Sequence, residues 1–194
     1  MSLRIEVAEL GLAAIDALDV DALAVFVGAE RPLQGFAGYA DWRLCGAISR
    51  AIRTGLFSAE PGEALLLPSG GRVRPPRVFC FGVPEAPWAA QAYAAGTRKA
   101  CEALRRAGSE AFATALPPIE GSDPAVAARL WLEASLAAPV RRQVLLGDAR
   151  ALQRDLTAAR SALSAQVEVL APPSRVEMPP RGTRPPPYAG AVVR

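Results

Sequence analysis

Arg77-Val78-Phe79-Cys80-Phe81-Gly82-Val83-Pro84-Glu85 is the stretch on which the fold turns. Four consecutive apolar residues run into a Gly-x-Pro stop, where proline removes a backbone donor and ends the ladder. A run this short and apolar on both faces suits a strand at the centre of a sheet covered on two sides. The segments around it are read as strands and helices packed on that sheet.

Upstream, Leu3 to Val7 alternates Leu3, Ile5 and Val7 with Arg4 and Glu6, the period-2 pattern of a strand, expected at an edge. Asp21 to Gly28 is a continuous apolar run closed by glycine and predicts a second interior strand. Leu12 to Leu18, between them, is too short to assign. Phe36, Ala40, Leu44, Ile48 and Ile52 recur every fourth residue and predict one amphipathic helix from Phe36 to Leu56, ended by Gly55. Glu63 to Leu67 and Arg72 to Arg74 flank Pro68-Ser69-Gly70-Gly71, the composition of a hairpin turn. Downstream, an alanine-rich helix is expected from Pro87 to Gly108 and a strand from Glu110 to Leu116, which completes a βαβ rhythm favouring parallel pairing. Asp123-Pro124 starts another helix, with aspartate as cap and proline in the first turn. Gln143 to Gly147 reads as a strand, Asp148 caps a helix striped by Leu152, Leu156, Ala159 and Leu163, and Gln166 to Leu170 is a further candidate strand. From residue 172 onward the composition shifts to paired prolines interleaved with arginines, so residues 1–171 are taken as the α/β domain and 172–194 as a flexible Pro/Arg-rich tail.

The chain has 194 residues, 51% hydrophobic and 21% charged, the balance of a globular protein, and no apolar stretch approaches the ~20 residues of a membrane helix. Its amino terminus lacks the basic-then-apolar pattern of a signal peptide, and a cytoplasmic location is expected. There is no histidine, which removes Ser-His and Cys-His catalysis and the commonest metal ligand, and leaves carboxylate, Lys or Tyr chemistry. Cys45, Cys80 and Cys101 stand singly in apolar segments and are expected as buried free thiols, with no metal and no cofactor. The net charge of +3 is mild, and Lys99 is the only lysine among 22 basic residues.

Several of these segments, in their order, resemble the amino-terminal domain of the leucyl aminopeptidases, the two-zinc cytosol aminopeptidase family. They are Asp21-Ala22-Leu23-Ala24-Val25, Gly46-Ala47-Ile48-Ser49-Arg50-Ala51-Ile52 with Gly55-Leu56-Phe57 and Pro61-Gly62-Glu63, the strand Arg77 to Gly82, and Ala94-Ala95-Gly96 in a helix leading to Leu116-Pro117. Together they cover roughly residues 20 to 147. The resemblance implies a three-layer α/β/α macro-like domain with a mixed, mostly parallel sheet, and a part in hexamer assembly. In that family a separate carboxyl-terminal domain holds both metals and the catalytic Lys and Arg. This sequence lacks the Asn-Thr-Asp-Ala-Glu-Gly-Arg metal segment, and its 194 residues leave no room for that domain, so no catalytic or metal residue is carried over.

Two candidate sites follow. The loop Gly82, Val83, Glu85 ends a strand, where α/β folds bind ligands, although Pro84 deprives it of an amide. The helix bearing Val126, Leu130, Trp131, Leu132 and Leu136 is apolar nearly all round, which suggests either a sandwiched core helix or an interface with a protein partner. Ser69-Gly70-Gly71-Arg72 has no helix after it and reads as a turn rather than a phosphate loop, and Asp16, Asp19 and Asp21 lack the calcium-loop pattern. The expected function is a non-catalytic, stand-alone module acting through protein association or self-association. The alternatives are a macro-like binder of a nucleotide or ADP-ribose-type ligand, and a nucleic-acid-associated protein using its arginine tail with Tyr188.

Overall fold

The computed structural model describes residues 3–170 apart from 86 and 122. The expected tail, 172–194, lies outside the described residues. The elements in chain order are β1 (Leu3–Glu9), α1 (Leu12–Ala17), β2 (Ala22–Val27), α2 (Gly35–Arg43), α3 (Ala47–Arg53), β3 (Ala64–Pro68), β4 (Arg77–Gly82), α4 (Ala90–Arg106), β5 (Ala111–Thr114), α5 (Pro124–Ala137), β6 (Arg142–Gly147), α6 (Ala149–Ala162) and β7 (Val167–Leu170). The seven strands form one sheet in the order β3-β4-β2-β5-β6-β1-β7, parallel throughout except for β3, which runs antiparallel to β4.

Side chains alternate across the strands and build a core on each face. On one face Leu3, Ile5, Val7, Phe79, Phe81, Phe112 and Leu145 pack against α4, α5 and α6. On the other, Leu23, Val25, Val27, Val78, Cys80, Val144 and Leu146 pack against α1, α2 and α3. This is the expected three-layer α/β/α arrangement. No helix among the described residues is long and apolar enough to cross a membrane.

Several expectations are corrected. The strand Arg77–Gly82 is second from the edge, and the middle position belongs to β5; its buried side chains reflect helices on both faces, with β3 as the outer neighbour. β4 and β5 do not pair with each other, because β2 lies between them. β1 is not an edge strand, since β7 pairs outside it. Its alternating charges mark a half-open face instead: Glu6 accepts from Arg142 Nε (2.9 Å) and Nη2 (2.8 Å) on the neighbouring strand, with Arg4 Nε at 3.0 Å. The helix from Phe36 to Leu56 is two helices. Gly46, at φ +74°, turns the chain, and Asp41 of α2 caps α3 by accepting from Ile48 N (2.9 Å) and Ser49 N (3.1 Å). Arg72–Arg74 is not a strand, so β3 pairs directly with β4 across a longer turn closed by Ser69 N donating to Pro76 O at 2.9 Å. Cys45 is exposed, in the left-handed region at φ +53°, whereas Cys80 and Cys101 are buried as expected.

Candidate functional site

Parallel strands that end together leave their following loops around a common crevice. Here the loops after β2, β4, β5 and β6, with the start of α2, line a cleft of about 430 Å³ that includes Phe26, Gly28, Glu30, Gln34, Val83, Pro84, Trp88, Pro117 and Gly147. Trp88 forms part of the wall, held there by an isolated bridge to Ile119: its N–H donates to Pro118 O (3.0 Å) and its carbonyl accepts from Glu120 N (2.7 Å).

The expected ligand loop contributes little binding chemistry to this cleft. Gly82 N donates to Glu63 O (2.8 Å) and Val83 N to Val27 O (3.1 Å), so both amides are spent within the fold, and Pro84 has none. Gly82 is glycine for a packing reason: a Cβ there would stand 2.1 Å from the Glu60 carbonyl oxygen. Glu85 lies at the exposed rim of the loop.

The polar groups that do face the cleft come from the loop after β2, which the sequence reading did not single out. Arg31 Nη1 is folded back to donate to Gly28 O (2.8 Å) and Glu30 O (2.7 Å), leaving Glu30 as the charged side chain in the lining. Gln34 does not cap α2, since its Nε2 donates to Pro32 O at 3.2 Å. The first amides of α2, at Gly35, Phe36 and Ala37, therefore line the cleft without a side-chain acceptor. They could hold an anionic oxygen, but among the described residues no basic side chain joins them in the lining. The signal was present in sequence, because Gly28 closes β2 as Gly82 closes β4.

The apolar helix is resolved in favour of the core. α5 is wedged between α4 and α6 above the sheet, so Trp131 and Leu132 are fully buried, against the interface expectation. Trp131 Nε1 donates to Gln143 Oε1 (3.0 Å) beneath it, and its ring meets Phe112 and Phe26 at centroid distances of 6.2 and 6.3 Å. Leu130 is half-buried beside Trp88 and Ile119, and Val126 and Leu136, each 40% exposed, are what remains of an outward stripe. More apolar surface stands elsewhere: Trp42 is 62% exposed beneath the Arg43 guanidinium, and Leu66 on β3 is 52% exposed.

The remaining reactive groups are placed for structure. Burial pushes the Cys80 and Cys101 thiols up to about 12, which keeps both protonated and unreactive. The buried Tyr93 hydroxyl is raised for the same reason. The three acids near residue 20 are dispersed. Asp16 pairs with Arg43. Asp19 lends its backbone carbonyl to Arg142. Asp21 accepts from Glu110 N (2.9 Å) and stands 3.1 Å from Arg77 Nη2, an ion pair that falls short of hydrogen-bond geometry. Ser69 is buried and closes its own turn onto Val73 O. Among the described residues no group of three or more His, Cys, Asp or Glu converges to hold a metal ion.

Comparison with solved structures gives the same architecture. The chain is similar to a leucine aminopeptidase mutant from tomato, with a TM-score of 0.57 and 15% identity, over 84% of this chain but only 36% of the tomato protein. It is similar to an Oceanobacillus iheyensis macrodomain mutant solved with ADPR, with a TM-score of 0.62 and 14% identity, over 82% of this chain and 92% of the other. The macrodomain of Mycobacterium tuberculosis DarG gives 0.58 and 16%, over 76% and 99%. At these identities the likeness shows the fold alone. No curated protein matches the chain by sequence. A family model for the cytosol aminopeptidase family, N-terminal domain, matches residues 24–138, more than half of the sequence, and the chain thus belongs to that family through its N-terminal domain.

Proposed function

We propose that this chain is a non-catalytic module of the aminopeptidase N-terminal type, working in the cytoplasm through association with protein. The observation that carries the reading is the β3 edge. Ala64-Leu65-Leu66-Leu67-Pro68 has no charged residue, and an exposed, apolar edge strand of this kind is a template for pairing with another chain. The family match supports it, because the matched residues are those of the amino-terminal domain. In light scattering over a range of concentrations, combined with affinity capture, the chain is expected as an oligomer or in a specific complex. Peptide hydrolysis is expected to be absent with or without added zinc or manganese. A chain that stays monomeric at high concentration and captures no partner overturns the association reading, and metal-dependent hydrolysis overturns the non-catalytic one.

A second reading, a nucleotide or ADP-ribose-type ligand, is favoured by the cleft at the strand ends and by the likeness to a macrodomain solved with ADPR. It ranks below the first because the cleft lining holds the Glu30 carboxylate and, among the described residues, no basic side chain; Lys99 and Arg106 line the adjoining cavity across Trp88 instead. Stabilisation against heat by ADP-ribose would raise it above association.

A further inference from the structure

Among the described residues no strand pairs outside β3; its outer edge has the geometry and charge order of half an antiparallel pair, and we infer that its other half is β3 of a second copy. This rests on the association reading and gives it a partner and a geometry. Within the β3–β4 ladder, Gly82 N donates to Glu63 O (2.8 Å) and Ser69 N to Pro76 O (2.9 Å). Those bonds make Ala64↔Phe81, Leu66↔Phe79 and Pro68↔Arg77 the pairs that exchange no hydrogen bonds with each other. The amides and carbonyls of Ala64 and Leu66 therefore point away from β4 to the open edge, while Pro68 offers only a carbonyl. Two such edges related by a two-fold axis place Ala64 opposite the partner's Leu66 and Leu66 opposite the partner's Ala64. Each pair then exchanges both backbone bonds, and the two sheets become one.

Charge selects this direction and this occupant. Glu60 and Glu63 stand at the start of β3, with Lys99 of α4 beside Gly62, while Arg72 and Arg74 lie in the turn that follows its end; Arg77, beside Pro68, is already paired with Asp21. Antiparallel pairing sets the acidic end of each copy against the basic end of the other, twice by symmetry, whereas parallel pairing would set acid on acid. Glu63 is already held by Ser58, whose amide donates to it at 2.8 Å. Glu60 and Arg74 are both exposed, and Arg74 makes no ion pair or hydrogen bond among the described residues, so Glu60 with the partner's Arg74 is the assigned pair. Glu60 is well placed for the role, since its carbonyl accepts from Glu63 N (3.0 Å) and its backbone is locked over Gly82. On the face of the α4 layer, Leu66 gains the partner's Ala64 as its cross-strand neighbour and loses much of its exposure.

Sedimentation velocity of the full chain tests this, with a concentration-dependent dimer that weakens as salt rises as the expected result. Leu66→Pro removes an outward amide without touching the β3–β4 ladder and should raise the dimer Kd roughly tenfold or more. Should that variant fold poorly, Leu66→Lys keeps the backbone and places charge on the edge, with the same expected effect. Arg74→Glu should weaken the dimer, and adding Glu60→Arg should restore it to within about threefold of wild type. A dimer indifferent to the Leu66 and charge variants overturns this surface and leaves the association reading standing. A wild-type chain that is monomeric alone but captures a foreign protein through β3 overturns the second copy as occupant. A chain that neither dimerises nor captures anything overturns both.

Discussion

Trp131→Ala should cost this domain far more than any truncation on the outward side of the same helix. The indole is fully buried between the sheet and its flanking helices, with edge-on or tilted contacts to Phe26 and Phe112 and a 3.0 Å hydrogen bond to Gln143. Removing it leaves a ring-sized cavity in a layer pinned on three sides, the class of change that costs ~3–5 kcal/mol. Gln143 Oε1 keeps the Ser135 hydroxyl at 3.1 Å, so no orphaned acceptor adds to that cost. In a domain of this size each kcal/mol moves the midpoint by roughly 2–4 °C, so a fall in Tm of about 6–20 °C is expected. Trp131→Phe retains most of the packing and loses only the indole donor, at about 1–2 kcal/mol, and Val126→Ala, on the exposed stripe, should stay within about 0.5 kcal/mol. Urea titration followed by far-UV circular dichroism measures all three. A Trp131→Ala protein as stable as the Val126→Ala protein would refute the core assignment of α5.

Gly82→Ala should lower stability by ~2–3 kcal/mol in the same titration, because the new Cβ would stand 2.1 Å from the Glu60 carbonyl and force apart the strand end and the 59–60 backbone. The bonds from Arg142, and the nearby Arg4, hold Glu6 below its ordinary value of 4.5. Its stabilising contribution is therefore complete above 4.5 and lost as pH falls through the depressed folded value, and Glu6→Gln should flatten that acid limb of the stability profile while leaving it unchanged in shape at neutral pH. With a chromogenic disulfide reagent, Cys45 should react in the native state and Cys80 and Cys101 only after unfolding. Fast native reaction of either buried thiol would contradict the packing described for it.

The strands were legible because apolar runs closed by glycine or proline leave little else for the chain to do, and β2, β4 and β6 all fall where such runs stand. Helix starts were legible where a side chain does the capping: Asp123 accepts from Ala125 N and Asp148 from Ala151 N, each at its expected place. Neighbour relations were not. Nothing local in Arg77–Gly82 distinguishes a middle strand from one that merely has helices on both faces, and Leu3–Val7 could not announce that β7 would cover it. The break at Gly46 hid because Leu44 and Ile48 keep the helical spacing across it while the cap, Asp41, reaches over from the preceding helix. For the site, the strand-end rule led to Gly82, whose amide and open side are already occupied, when the same rule applied to Gly28 leads to the cleft-facing Glu30 and α2. Trp131 was ambiguous for a physical reason: a helix covered on three sides and a helix with an interface have the same pattern until its neighbours are known.

The seating of β1 has a consequence for synthesis. Leu3–Glu9 leaves the ribosome before the other described strands, yet its partners are Arg142–Gly147 on one side and Val167–Leu170 on the other. Its ladder must wait for almost the whole described chain to emerge, so sheet closure is a late, long-range event of the kind that slows folding. Until then Leu3, Ile5 and Val7 remain an unpaired apolar segment of the nascent protein. A fragment confined to residues 24–138 would omit β1, β6 and β7 altogether. It would expose β5 as a raw edge, a core strand turned into an aggregation seed.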